Sequence, residues 1–223
     1  SDKNLLGGYM WHTTGSGKTI TSFKSAQLIA DTNDAAKVIF LMDRIELGTQ
    51  SLDDYQNFAD DPGDVQGTDN TDMLITKLKS ENKPDTLIVT SIQKMSRIKE
   101  KKDVNIRDIE IIRQKRLVFI VDEAHRSTFG DMLKDIKHTF PHAIFFGFTG
   151  TPIFEINCKK LSTTATVFGN ELHRYTIADG IRDKNVLGFD PCIARTYDSR
   201  DLRLAVALDK AKASTVKEAV NNP

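Results

Sequence analysis

The chain has 223 residues, of which 39% are hydrophobic, with six prolines and 31 basic residues against 31 acidic ones. That composition fits one globular domain, or one domain with an appendage, and it offers no general basic field, so contact with nucleic acid must come from local loops. Cys158 and Cys192 form no Cys-x-x-Cys pair and read as free thiols, and no apolar run approaches the ~20 residues of a membrane span.

Gly8-Tyr9-Met10-Trp11 reads as a short strand, and Ile20, Phe23, Leu28, Ile29 and Ala30 mark a helix soon after it. Between them runs His12-Thr13-Thr14-Gly15-Ser16-Gly17-Lys18-Thr19. Gly15 and Gly17 let the backbone turn tightly and bring its N–H groups to phosphate oxygens with no side chain in the way. Lys18 would reach the β- and γ-phosphates of a nucleotide such as ATP, and the Thr19 hydroxyl would hold Mg2+. The dipole of the following helix and the amides of its first turn favour the same anion. The full pattern G-x-x-x-x-G-K-[ST] asks for glycine at position 12, where this chain has histidine.

Further along, Lys37–Met42, Thr86–Thr90, Leu117–Val121 and Ala143–Phe148 are short and nearly all apolar, as strands of a parallel sheet covered on both faces should be. Helices are expected between them, at about 44–59, 71–80, 91–99 and 129–140. Strand and helix in alternation imply right-handed crossovers and an α/β fold, a doubly wound, mostly parallel sheet with helices on both faces. Ligands gather at the carboxyl ends of such strands. Asp60–Asp64 and the charged stretch Arg97–Asp103 read as surface insertions. Past Pro152 the alternation is expected to stop. Residues 153–200 read as loops with a short helix near 176–184 and an extended piece at 186–197. Residues 201–220 read as a solvated helix with Leu202, Val206, Val216 and Val220 on one face.

The apolar strand Leu117–Val121 delivers Asp122-Glu123-Ala124-His125 at its end. An ionised carboxylate placed after five buried-type residues requires a partner, and Mg2+ on a phosphate supplies one. Asp122 would hold the metal, Glu123 would accept a proton from the attacking water, and His125, able to hydrogen-bond at both ring nitrogens, suits a sensing role. The DEAH string carries little alone. Its weight comes from TGSGKT about a hundred residues earlier, each motif at the end of its own strand.

This pairing resembles the superfamily II helicases and translocases, whose motor is a RecA-like P-loop NTPase domain, and their other motifs follow in order. MDRIELGTQ (42–50), with Arg44 at a strand end, looks like motif Ia. VTSIQK (89–94) resembles the segment that meets the nucleic-acid backbone, with Thr90, Ser91 and Gln93 as neutral donors that position without reading sequence. FTGTP (148–152) looks like motif III, and the resemblance implies that Thr149, Gly150 and Thr151 couple hydrolysis to nucleic-acid movement. WHTTGSGKT, DEAHRS with Phe129-Gly130 behind it, GFTGTPIF (147–154) and TVFGNELHRYTIADGIRDKNVLGF (166–189) together look like the motor of the R subunit of type I restriction endonucleases. In that family histidine is common at position 12.

The resemblance implies a cytoplasmic, ATP- and Mg2+-dependent translocase on duplex DNA that works with methyltransferase and specificity subunits. It places the first RecA-like domain at 1–155, a family-specific extension at 156–200, and at 201–223 a helical linker toward a second motor domain. The family's nuclease domain and second motor domain, with its arginine finger, are expected outside this stretch, so the chain alone should hydrolyse ATP hardly at all. Three other readings compete: an RNA or DNA-repair helicase of the same superfamily, a nucleotide-binding regulatory module without motor activity, and a metabolic P-loop kinase.

Overall fold

The computed structural model describes residues 7–42, 56–58, 65–68, 70–99, 106–122, 124, 129–154, 163–188, 204, 206, 208 and 209. Contacts divide the chain into two compact units, Ser1–Leu187 and Gly188–Pro223. In the second unit residues 204, 206, 208 and 209 are helical, with Leu204 and Val206 about half exposed. Residues 202, 216 and 220 of the expected helix lie outside the described residues.

The first unit is built on seven parallel strands: β1 (Gly8–His12), β2 (Lys37–Met42), β3 (Val65–Gly67), β4 (Leu87–Ser91), β5 (Leu117–Val121), β6 (Ile144–Thr149) and β7 (Asn170–Tyr175). Their order across the sheet is β3-β4-β2-β5-β6-β1-β7. The helices are α1 (Lys18–Asp31), α2 (Thr71–Lys79), α3 (Ile92–Ser96), α4 (Ile106–Arg113), α5 (Phe129–Thr139), α6 (Thr164–Phe168) and α7 (Ile177–Arg182). Among the described residues no helix is long and apolar enough to cross a membrane.

β2, β4 and β5 are buried throughout, yet their side chains divide between two cores. Val38, Phe40 and Met42 of β2 and Val118 and Ile120 of β5 pack with Phe23 and Ala26 of α1. Ile39 and Leu41, with Leu117, Phe119 and Val121, turn to the other face. There they meet Leu74 and Leu78 of α2, Ile92 and Met95 of α3, Ile109 and Ile112 of α4, and Leu133 and Ile136 of α5. A strand covered on both faces alternates in space while its sequence is apolar without a break. Phe119 stacks on Phe145 with ring centroids 4.7 Å apart.

The expected strands at 37–42, 86–90, 117–121 and 143–148 are β2, β4, β5 and β6, each within a residue or two. The structure departs from expectation elsewhere. The sheet continues past Pro152, because β7 pairs in parallel with β1. Ile98, within the stretch read as a surface insertion, is fully buried, and α4 follows that stretch. The apolar stripe of α1 is narrower than expected, since Ile20 is 48% exposed and Leu28 66% exposed while Phe23 and Ala26 are buried. Of the helix expected at 44–59, residues 56–58 are described and helical. The charged turn at 60–64 lies outside the described residues.

Strand order is what positions the site. β5 and β6 enter the sheet between β2 and β1, so the carboxyl ends of β5, β6 and β1 lie side by side. Asp122, Thr149 and the glycine loop leave the sheet from those three ends.

Candidate nucleotide site

The loop after β1 is held open from within. The Ser16 hydroxyl donates to the Thr13 carbonyl at 2.6 Å, and the Thr13 N–H donates to the Tyr175 carbonyl at 3.0 Å. Gly15 (φ 81°) and Gly17 (φ 78°) lie in the left-handed region, where a side chain is strained by about 1–3 kcal/mol. Gly17 is the N-cap of α1 and supplies no side-chain acceptor, and the first turn of α1 holds no acid. The first turn of this helix therefore brings neither a capping side chain nor a carboxylate of its own, an arrangement that suits an anion. A Cβ on Gly17 would meet nothing within 4 Å, so there is open space beside the loop at that residue.

Lys18, the first residue of α1, is 7% exposed and places its Nζ 3.1 Å from Oδ1 of Asp122, whose side chain is 4% exposed. Asp122 is held one residue beyond β5 by its N–H, which donates to the Leu41 carbonyl of β2. The ammonium of the glycine loop and the first carboxylate of the DEAH string thus share one cleft. The next link is the Thr149-Gly150-Thr151 turn. Thr149 is fully buried, and the Ala124 N–H donates to the Phe148 carbonyl beside it. A Cβ on Gly150 would stand 3.3 Å from the His12 carbonyl and 3.4 Å from the Thr14 hydroxyl, so the TGT turn lies against the start of the loop. Trp11 donates through Nε1 to the Gly150 carbonyl at 3.1 Å, and the guanidinium of Arg174 lies 4.9 Å from its ring. Thr151 donates its N–H to the Thr149 hydroxyl.

Of the remaining candidates, Thr19 is exposed on the first turn of α1. Thr90 and Ser91 are buried, at 0% and 1% exposure, and their hydroxyls are engaged inside the chain. Thr90 Oγ accepts from the Thr68 hydroxyl at 2.7 Å, and Ser91 Oγ caps α3 by accepting from the Lys94 N–H. Their geometry fixes the shape of the strand end, and Gln93 is the half-buried member of the trio. Glu123, His125 and Arg44 lie outside the described residues.

One participant escaped the sequence. Nε2 of His12 lies 2.9 Å from Nδ1 of His173 on β7. His12 is 9% exposed, and its imidazole is held below its ordinary pKa by burial first, then by His173 and by the Lys18 ammonium. His173 sits in the distinctive stretch 166–189, but nothing in that stretch announces a partner one strand away.

Comparisons with known proteins give the family and the fold. The chain matches the SWI2/SNF2 ATPase family over residues 2–221. It is 43% identical over 215 residues to the type I restriction enzyme SauMSSORF170P endonuclease subunit of Staphylococcus aureus (strain MSSA476), covering 96% of this chain and 22% of that protein. It is 44% identical over 196 residues to the type I restriction enzyme SsaAORF53P endonuclease subunit of Staphylococcus saprophyticus, covering 87% of this chain and 20% of that protein. The chain therefore spans about a fifth of the length of these relatives. Among solved structures, a nuclease-deletion mutant of the type ISP restriction-modification enzyme LlaGI in complex with a DNA substrate mimic superposes with a TM-score of 0.56 at 19% identity, covering 94% of this chain and 21% of that one. The Hef helicase domain of Pyrococcus furiosus gives 0.56 at 16% identity, covering 96% of this chain and 49% of that one. At such identities the likeness is one of fold, and the fold is RecA-like. From its glycine loop to its seventh strand, the chain belongs to the SWI2/SNF2 ATPase family.

Proposed function

We propose that this chain is the first RecA-like motor domain of a type I restriction R subunit, binding ATP–Mg2+ and driving translocation on duplex DNA. The observation that carries this reading is the Lys18–Asp122 pair, 3.1 Å apart and buried at the open N-terminus of α1. The two charges answer each other directly. Phosphate oxygens would draw Lys18 away from Asp122, freeing the carboxylate for a cation.

The residues present fit such a group: an ammonium, a buried carboxylate, the exposed Thr19 hydroxyl and a glycine loop with open space at Gly17. Thr19 and Asp122 would hold Mg2+, which when bound neutralises phosphate charge. His12 to Thr19 form the loop around the triphosphate, with Lys18 bearing directly on the transferred phosphoryl group. Glu123 is proposed as the base that orients and deprotonates water, and His125 as its neighbour in sensing the γ-phosphate. Because Gly150 packs on His12 and Thr14, a shift of the loop is passed to Thr149–Thr151 and from there toward the DNA-facing strand ends at Arg44 and Thr90–Gln93. Duplex DNA, the methyltransferase and specificity subunits, and nuclease and second motor domains in the same subunit are the partners this reading requires.

The test is an ATPase and nucleotide-binding series on the subunit that contains this chain. Lys18→Ala should abolish ATP binding, and Glu123→Gln should retain binding while stopping hydrolysis. Duplex DNA should stimulate turnover, and this chain alone should bind nucleotide yet turn it over at least a thousandfold more slowly, for want of an arginine finger worth about 10³–10⁵. Stimulation by RNA in place of DNA, or equal loss of binding in both variants, would overturn these roles. Indifference to any nucleic acid would favour the regulatory module.

A further inference from the structure

Resting on the nucleotide site above, we propose that His173 is a positioning residue for the phosphate loop, acting through His12. The loop springs from His12, the last residue of β1. The two facing ring nitrogens stand 2.9 Å apart, and at that distance bare nitrogens repel and protonated ones clash, so one proton lies between them. The shared proton ties the two tautomers together and fixes the orientation of the His12 ring.

A bulge makes the pairing possible. β1 and β7 run in register from Gly8↔Asn170 to Tyr9↔Glu171, then slip by one residue to Met10↔His173 and His12↔Tyr175. Paired residues share a face of the sheet, and a one-residue slip exchanges the faces. Were Leu172 paired in regular register with Met10, His12 would lie opposite Arg174 and His173 would project from the other side. The bulge is accommodated because residue 8 is glycine: a Cβ there would lie 2.4 Å from Leu172 Cγ.

The arrangement also has a cost that apolar packing would avoid. His12 Nδ1 is buried and has no hydrogen-bond partner among the described residues, a penalty of about 1–3 kcal/mol. The rest of the β7–α7 segment bears on the same loop. The Tyr175 carbonyl takes the Thr13 N–H, and Tyr175 is itself fixed through its hydroxyl by Asp183 (3.1 Å) and Asn185 (3.0 Å). A Cβ on Gly180 would lie 3.6 Å from Thr13 Cγ2, and one on Gly15 3.9 Å from Val186 Cγ2. Burial first, then His173 and the nearby Lys18 ammonium, hold the His12 imidazole below its ordinary pKa, which favours its neutral form beside Lys18.

His173 is exposed, so it can be replaced without opening the core. The experiment measures binding of a fluorescent methylanthraniloyl-ATP to the full chain by energy transfer from Trp11, its single tryptophan. Wild type is compared with His173→Phe, which keeps the ring and loses the nitrogen, and His173→Asn, whose amide takes the place of Nδ1. His173→Phe should weaken nucleotide binding about tenfold, the equivalent of one lost hydrogen bond, and His173→Asn should recover most of it. The melting temperature of His173→Phe without nucleotide should stay within about 3 °C of wild type. Equal affinity in wild type and His173→Phe overturns the positioning role, and so does an equal loss in the Phe and Asn variants. If wild type itself binds no nucleotide, the site proposed above falls and this role with it.

Discussion

Deleting one member of the Lys18–Asp122 pair is the most direct perturbation of the site, and its size can be worked from the structure. At 3.1 Å, in an effective dielectric of about 20, two unit charges attract by about 5 kcal/mol. Most of that is offset by removing both groups from water, so the intact pair adds little net stability. A single substitution is different, because it leaves the opposite charge in the same buried place with its counter-charge gone, at about 3–5 kcal/mol. In a domain of this size each kcal/mol moves the melting temperature by about 2–4 °C. Lys18→Met and Asp122→Leu should therefore each lower it by roughly 6–20 °C, and the double variant, which removes both charges, should recover most of that loss. Side chains only 7% and 4% exposed are poorly screened, so the pattern should persist between 0.15 M and 1 M salt. Nucleotide at a hundred times its dissociation constant should stabilise wild type by about 2.7 kcal/mol and Lys18→Met not at all. Thermal melts of the four proteins, with and without nucleotide, give the full cycle. Single variants that melt within 2 °C of wild type, or losses that simply add in the double variant, would refute a closed cleft shared by the two motifs.

Two further perturbations address the loop. Gly17→Ala introduces a methyl that meets nothing within 4 Å but must sit at φ 78°, so the stability cost should be backbone strain alone, about 1–2 kcal/mol by melting. ATP affinity should fall by at least tenfold over the same change, and unchanged affinity would show that the loop is no phosphate cradle. His12 gives the pH dependence. Burial first, then His173 and Lys18, hold its imidazole below the ordinary 6.5, so the folded state resists a proton that the unfolded chain accepts. The stability this contributes is fully present above pH 6.5 and is lost as pH falls through the depressed value. Melts from pH 7.5 to 5.0 should steepen in wild type relative to His12→Gln, and parallel curves would sink the assignment.

What could be read from the sequence follows from burial. β2, β4, β5 and β6 are covered on both faces, so Lys37–Met42, Leu87–Ser91, Leu117–Val121 and Ile144–Thr149 are mostly apolar from end to end. β3 is three residues long and β7 is an edge strand with most of its side chains exposed, so Asn-Glu-Leu-His-Arg-Tyr carries no apolar signal. α4 did carry one, in Ile109 and Ile112 a turn apart, but the charged run before it obscured the period. The glycine loop and Asp122, proposed to hold phosphate and metal, stand out in the sequence for another reason. Phosphate and metal accept few residue types, and those types stand out wherever they occur.

Their meeting is a matter of topology. The alternation of strands and helices implies a parallel sheet, but not that β5 and β6 enter between β2 and β1. That insertion brings Lys18 and Asp122 together across about a hundred residues of sequence. The contacts between β1 and β7 lie a step further from the sequence, because they depend on parity. Strict alternation along Glu171–Tyr175 would set Arg174 opposite His12; the slip at Leu172 instead pairs Trp11 with Arg174 and His12 with Tyr175. The same slip carries Glu171 and Arg174 to one face, where they form two hydrogen bonds at 2.8 and 3.0 Å. One inserted residue on an exposed edge strand thus decides which side chains reach the glycine loop, and no periodicity count can detect it, since the insertion breaks the period on which such a count relies.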